Sequence, residues 1–377
     1  MDGREYTTLV AALGTVPDPR QARGQRYAWS QLLTLVVAAI ASGQRHGHGI
    51  GQWVAEHAAE LQTRLGMARV PSEATRRRVL RRVEVTAVEE ALRAWVAPQA
   101  EARQTSVMGV AVDGKERRGA GRHGPPVVLV ALVRHDGLVL DQQAAPSKLA
   151  EGAAVRHLVD RQRLAGLVVT ADVLVAGRAL AARIRAQQGH YLLVINGNQP
   201  FSQQVIADLF ATASWTLAER AQEYRQHRTV EKGPGRLETR VLEASSTLTG
   251  WLDWPDLGQV LKRTTRRVIL ATGEVDEEVT YAVTSLPPAD ASAADLERLW
   301  RGHWTIEHRV HYVRDVTLGE DAGQAYRGHT PQTLAALRHA VLTLLRAAGW
   351  TRIADALRHY AAHVDETLAL IGVPARL

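Results

Sequence analysis

The chain has no cysteine among its 377 residues. Disulfides, thiolate nucleophiles and cysteine-ligated zinc are therefore excluded, and any metal must be held by carboxylates or histidines. A reducing, cytoplasmic setting fits that absence. Long apolar runs are missing too: the stretch 32–41 falls well short of the roughly 20 residues needed to cross a bilayer, and Met1-Asp2-Gly3-Arg4 does not open a signal peptide. No membrane partner is expected. There is no low-complexity tract and no repeat of solenoid period. Hydrophobic residues at 46% and charged residues at 23% are the usage of a folded globular chain.

What is present in mild excess is positive charge. Lys+Arg number 46 against 39 Asp+Glu, giving +7 and a pI near 9.9. That balance suits a polyanionic partner such as DNA without identifying one.

Residues 1–104 read as a helical N-terminal domain, with apolar residues at helical spacing over 31–42, 51–65 and 72–96, interrupted by Pro17, Pro19, the glycines of 47–51 and Pro71. From 105 onward the pattern changes to short β-branched runs. Three of these, 107–113, 127–134 and 138–144, are joined closely enough to be antiparallel neighbours, and His135-Asp136-Gly137 has hairpin-turn chemistry. A helix over 149–163, a strand over 167–170, a helix over 176–188 and a strand over 191–195 follow. The order β-β-β-α-β-α-β predicts an α/β, ribonuclease H-like mixed sheet flanked by helices. A β-rich insertion is expected at about 201–286, with strands over 236–243, 259–270 and 277–285. Helices are expected to resume over 291–316, 331–348 and 351–363, completing a domain that runs over 105–377.

Three carboxylates stand out in this frame. Asp113 ends the first strand and Asp172 follows the fourth, so both should project from one sheet edge. Glu307 lies on a helical stretch where Trp300, His303 or Trp304, Glu307, His311 and Arg314 share a face. Three acids of this kind suit two Mg²⁺ ions, or Mn²⁺ in their place, serving both ends of an in-line phosphoryl transfer. Asp113 would bridge the ions, with Asp172 and Glu307 each completing one. Taken singly, an acid at a strand end is more often a turn residue or a helix cap.

At these residues the sequence resembles the H-repeat-associated group of bacterial insertion-sequence transposases, of the DDE superfamily. The matching segments are Asp18-Pro19-Arg20-Gln21-Ala22-Arg23-Gly24, Ala111-Val112-Asp113-Gly114-Lys115, Thr170-Ala171-Asp172, Gly197-Asn198-Gln199-Pro200, His303-Trp304-Thr305-Ile306-Glu307 and Asp315-Val316-Thr317-Leu318-Gly319-Glu320-Asp321. The resemblance implies a catalytic triad at Asp113, Asp172 and Glu307 and a ribonuclease H-like fold with a β-rich insertion before the glutamate. The implied reaction is hydrolysis at element ends followed by attack of the freed 3′-hydroxyl on target DNA. Double-stranded DNA, as element ends and as target, is then the partner, and synapsis of two ends implies a homodimer in the DNA complex. The spacings of 59 residues from Asp113 to Asp172 and 135 from Asp172 to Glu307 accommodate that plan. The chain departs from the family at Asn196, where a lysine is usual, at His308, where an asparagine is usual, and at Tyr312, where a tryptophan is usual. A neighbouring Tyr-Arg-Glu-Lys signature is matched loosely by Trp300, His303, Glu307 and Arg314.

Further DNA contacts are expected from Lys115, Arg117 and Arg118 beside the first aspartate, from Asn198 and Gln199, and from His303 and Arg314. For Asn198 and Gln199 a turn-forming role is an equal alternative. Arg77 and Arg81 belong to a basic cluster with Arg76, Arg78 and Arg82, on a helix that Ser72 should cap. Phosphate contact and a solvated helix face are equal readings of it. His303, Glu307 and His311 lack His-Glu-x-x-His spacing and do not predict zinc, and Glu320 with Asp321 reads as a cap or salt-bridge pair. Two alternatives to a transposase remain at this stage: a ribonuclease H-like nuclease without strand transfer, and a catalytically silent DNA-binding relative.

Overall fold

A computed structural model describes residues 8–103, 107–116, 128–212, 223–323 and 327–375. Arg117 and Arg118 lie outside the described residues. The chain divides into two compact units. One comprises Met1–Gln104, Gly114–Glu151 and Thr305–Leu377, the other Thr105–Asp113 and Gly152–Trp304.

In the first unit the N-terminal helices are α1 (Leu9–Leu13), α2 (Trp29–Ala41), α3 (Gly47–Glu56), α4 (Ala58–Leu65), α5 (Glu73–Arg82) and α6 (Val85–Glu101). Ser72 caps α5 as expected, its Oγ accepting the Thr75 N–H at 3.3 Å. That bond satisfies one of the donors a helix start leaves open. The predicted helix 72–96 is in fact two helices, because Val83 and Glu84 take extended angles between them.

Strand β1 (Met108–Glu116) passes from the second unit into the first, where β2 (Val128–Arg134) and β3 (Val139–Ala145) form a hairpin. Asp136-Gly137 makes its turn: Gly137 sits at φ +96°, a region favouring glycine, and the Arg134 N–H donates to the Leu138 carbonyl at 2.9 Å.

The second unit continues with α7 (Glu151–Asp160), β4 (Leu167–Ala171), α8 (Arg178–Ala186), β5 (His190–Ile195) and α9 (Pro200–Ala211). It ends with β6 (Tyr224–Gly233), β7 (Arg236–Ser245), β8 (Gln259–Ile269), β9 (Val275–Thr284) and α10 (Ala293–Gly302). Back in the first unit, two π-helical turns at Glu307–His311 and Val313–Thr317 precede α11 (Thr330–Ala347), α12 (Ile353–Ala362) and α13 (Val364–Ile371). There α2 packs against α11 and α13, which explains why nearly the whole circumference of α2 is apolar and buried.

The nine strands form one mixed sheet in the order β3-β2-β1-β4-β5-β9-β8-β7-β6. All five residues of β4 are buried, in keeping with a run that is apolar except for Thr170. The expected insertion does not stand apart from the core. Its last strand, β9, pairs antiparallel with β5, Leu193 opposite Val283, so β9, β8, β7 and β6 extend the central sheet. Helix α10 seals one face, Leu296, Leu299 and Trp300 packing with Val168, Leu192 and Leu261. Its Ser292–Asp295 capping box fixes where it starts. The expected single helix over 291–316 is instead α10 and the two π turns, parted at His303 and Trp304. Strand β6 and the helices α1, α9 and α13 had no counterpart in the sequence reading.

Candidate active site

The second unit brings two of the three expected acids together. Strands β1 and β4 are parallel, with Val110 opposite Val169 and Val112 opposite Ala171. Asp113 and Asp172 are the next residues on each, at the same end of that ladder, on neighbours about 4.8 Å apart. Asp172 follows the end of β4, whereas β1 runs on through Asp113 to Glu116, so Asp113 does not end its strand as the sequence reading expected. Each acid is half-buried, which limits the water competing for its oxygens without enclosing it.

The surroundings of Asp172 are well specified. Its Oδ1 accepts the Val173 N–H at 2.7 Å, and its carbonyl accepts from the N–H groups of Val175 and Ala176 at 3.1 Å, closing a tight turn directly after the acid. Asn198 braces that turn from the end of β5. Its Nδ2 donates to the carbonyls of Val173 at 2.8 Å and Ala176 at 2.9 Å, while its Oδ1 accepts the Asn196 N–H at 2.9 Å. Both amide ends of Asn198 are thus engaged with backbone, so its turn role is realised. Gln199 is half-buried at the start of α9, and its N–H donates to the Asn196 carbonyl at 2.8 Å.

One layer below the acids, Thr170 Oγ1 lies 3.2 Å from Nδ1 of His303. His303 is 7% exposed, so it supports β4 from within rather than facing a ligand. Trp300, on the same predicted face, is also core, with the Arg263 guanidinium 4.4 Å above its ring. Trp304 is 50% exposed and does not share that burial.

Glu307 belongs to the first unit and is exposed at the start of the first π turn. The turn is defined by its wide hydrogen bonds: the Tyr312 N–H returns to the Glu307 carbonyl, and the Leu318 N–H to the Val313 carbonyl at 2.9 Å. Such turns recur at functional sites because they re-aim side chains within a helix. Here they place ligand atoms of Glu307 and the buried His311 within 4.8 Å of each other.

Two expected DNA contacts are otherwise occupied. Arg314 is fully buried and forms a bidentate pair with Glu320, Nε to Oε2 at 2.6 Å and Nη2 to Oε1 at 2.8 Å, while its Nη1 donates to His339 Nε2 at 3.0 Å. Its charge is neutralised inside the unit and cannot reach a phosphate, a correction to the sequence reading. Lys115 is paired with Asp315 and lies 3.9 Å from Asp321. Glu320 and Asp321 are thereby salt-bridge partners, as expected. Gly114, between Asp113 and Lys115, has no room for a side chain, because a methyl group there would run into the Glu151 carboxylate.

In the basic cluster, Arg76 turns inward and donates to the Pro71 carbonyl, whereas Arg77 is exposed and Arg81 half-buried. A second group of ligand-type side chains, His359, His363 and Glu366, was missed, although its four- and three-residue steps carried a helical signal. His359 Nε2 lies 2.8 Å from Glu366 Oε2, which ties α12 to α13. Carboxylate oxygens at one end of the β1–β4 ladder suit a hard divalent cation such as Mg²⁺ or Mn²⁺. No helix among the described residues is long and apolar enough to cross a membrane.

Comparison with known proteins identifies the family. Residues 102–344 match the family model described as Transposase DDE domain, and residues 10–96 match the DDE_Tnp_1-associated model. Among curated relatives, YncI of Escherichia coli O157:H7 is 24% identical over 357 residues, covering 90% of this chain and 87% of its own. YbfL of Escherichia coli K12 is 25% identical over 352 residues, covering 90% and 91%. The K12 protein named "H repeat-associated putative transposase YhhI" is 24% identical over 352 residues with the same coverage. With Asp113 and Asp172 inside the matched region, the chain belongs to the Transposase DDE domain family.

Proposed function

We propose that this protein is a DDE transposase that cuts DNA at the ends of an insertion sequence and joins the freed 3′-hydroxyls to target DNA. The observation that carries the proposal is the register of β1 and β4, in which Asp113 and Asp172 directly follow the last ladder pair, Val112 opposite Ala171. Membership of the DDE family supports it. The succession of β1 to β3, then the parallel neighbours β4 and β5, supports a ribonuclease H-like core.

In this reading Asp113, Asp172 and Glu307 are the catalytic carboxylates and hold two Mg²⁺ or Mn²⁺ ions. When bound, the ions supply a deprotonated water and stabilise the leaving oxygen. The protein's own contribution is placement. Asp113 is held by the β1–β4 ladder, Asp172 by the turn that Asn198 braces, and Glu307 by the π turn. His303 is a positioning residue acting through Thr170 on β4. Gln199, Arg117 and Arg118 remain proposed DNA contacts, as do the exposed Arg77 and the half-buried Arg81. The active species is a homodimer on two element ends, working in the cytoplasm.

A supercoiled-plasmid assay with a labelled element end tests the whole reading. Wild-type protein with Mg²⁺ should cut and join 3′ ends, and D113N, D172N and E307Q should each lower both by about a thousand-fold, the equivalent of several kcal/mol of charge stabilisation. Cutting without joining would identify a nuclease instead, and a mobility shift alone a silent DNA-binding relative.

A further inference from the structure

Within the first unit, a cleft of about 620 Å³ opens between the start of α3, one side of α5 and the N-terminal half of α11. Its charge is one-sided. Among the described residues lining it are Arg45, Arg77, Arg81, Arg327 and Arg338, against one carboxylate, Glu73. That carboxylate stands 3.9 Å from an Arg77 nitrogen and 3.6 Å from His48 Nδ1, in largely exposed pairs of small worth.

The cleft is also built rather than incidental. Arg338, 3% exposed, donates from Nη2 to the Arg45 carbonyl at 2.7 Å and so fixes the loop that carries Arg45. The stem of Arg45 lies against Gly319, where an added Cβ would come within 3.0 Å of its Cδ. On the opposite side, Gly328 takes φ +55° and approaches the Arg81 carbonyl so closely that a Cβ would meet it at 2.7 Å. The His329 N–H then donates to the same carbonyl at 3.3 Å. Backbone clamps thus hold arginines from three chain segments around one concavity. Like charges gathered in a low-dielectric concavity repel one another and focus a positive field outward, and an anion relieves both.

We infer that this cleft grips the phosphodiester backbone of duplex DNA, anchoring it through Arg45, Arg77 and Arg81 without any catalytic metal. The inference rests on the transposase reading for its choice of DNA, and it adds a holding site separate from the carboxylates. Arg77 and Arg81 are one helical turn apart, so they present two cations along one edge of the cleft. Contacts of this kind are sequence-independent and salt-sensitive, because each phosphate neutralised releases condensed counterions.

The test is fluorescence anisotropy of a labelled duplex with the full chain in EDTA, across a KCl series. In a plot of log affinity against log salt, R77A/R81A should flatten the slope by about 1.8, the loss of two phosphate contacts, and R45A by about 0.9, the loss of one. Affinity at low salt should fall about ten-fold or more, and R77K/R81K should keep most of the slope. Circular dichroism of each variant secures that the fold is retained. Wild-type slopes in both folded alanine variants would overturn the cleft assignment while leaving the transposase reading intact. Failure of the wild-type chain to bind any duplex DNA would overturn both, and strong preference for RNA over DNA would overturn the choice of ligand.

Discussion

The clearest single-residue consequence of the fold concerns His339. Burial, and after it the neighbouring Arg314 cation, holds its imidazole well below its usual range, so the folded protein keeps it neutral. An unfolded chain takes up that proton as pH falls through the ordinary value of 6.5, and the folded one does not. Stability from this group is therefore fully present above that value and is lost as pH falls below it, at up to about 1.4 kcal/mol per pH unit. Chemical denaturation between pH 7.5 and 5 should show this loss, with His339→Gln, which retains an acceptor for Arg314, titrating by about one proton fewer. An identical slope in the variant would show that the ring gains its proton in the folded state. The Arg314–Glu320–His339 cluster also explains why sequence alone misassigned Arg314. A basic residue on a helix beside aromatics looks the same whether its counter-ion is a phosphate or a carboxylate six residues on, and only burial distinguishes them.

At the scale of elements, legibility followed burial. Strands β1, β2, β4 and β5 could be read from their short, mostly apolar runs, and Asp172 could be placed just after β4 for the same reason, whereas β1 runs three polar or small residues beyond Asp113, which no apolar run marks. Strand β6 carries Arg225, His227, Arg228, Glu231 and Lys232 with neither face wholly buried, so no hydrophobic period marks it. Nothing in its residues announces that the strands beyond α9 return to pair with β5, since that pairing is made by backbone groups. The π turns were invisible for a related reason: their apolar positions still fit a helical period. Asn198 was legible as a turn residue, but its partner was not, because Val173 and Ala176 lie more than twenty residues away. That link gives an element-scale prediction. Asn198→Ala should raise amide hydrogen exchange at Val175 and Ala176 several-fold while β4 stays protected, since the side chain's two bonds to carbonyls hold that turn shut. Unchanged exchange there would mean the turn is held by Asp172 alone.

For the whole molecule, residues 1–104 were expected to form a domain of their own, followed by 105–377. The compact units instead group 1–104 with 114–151 and 305–377, because the buried faces of α2 and α6 are completed by helices and a hairpin from later in the chain. A composition change near Thr105 marks where strands begin, not where a core ends. The positive balance of the chain likewise says little until it is located, and the arginine cleft of the first unit is one place where it gathers. The functional proposal turns on whether Asp113, Asp172 and Glu307 each ligate a divalent ion. Mn²⁺ binding to the full chain, followed by electron paramagnetic resonance of the free ion, tests it without recourse to activity. Wild-type protein should bind Mn²⁺, and D113N, D172N and E307Q should each weaken that binding by about ten-fold or more. Isotherms identical to wild type in all three variants would contradict it.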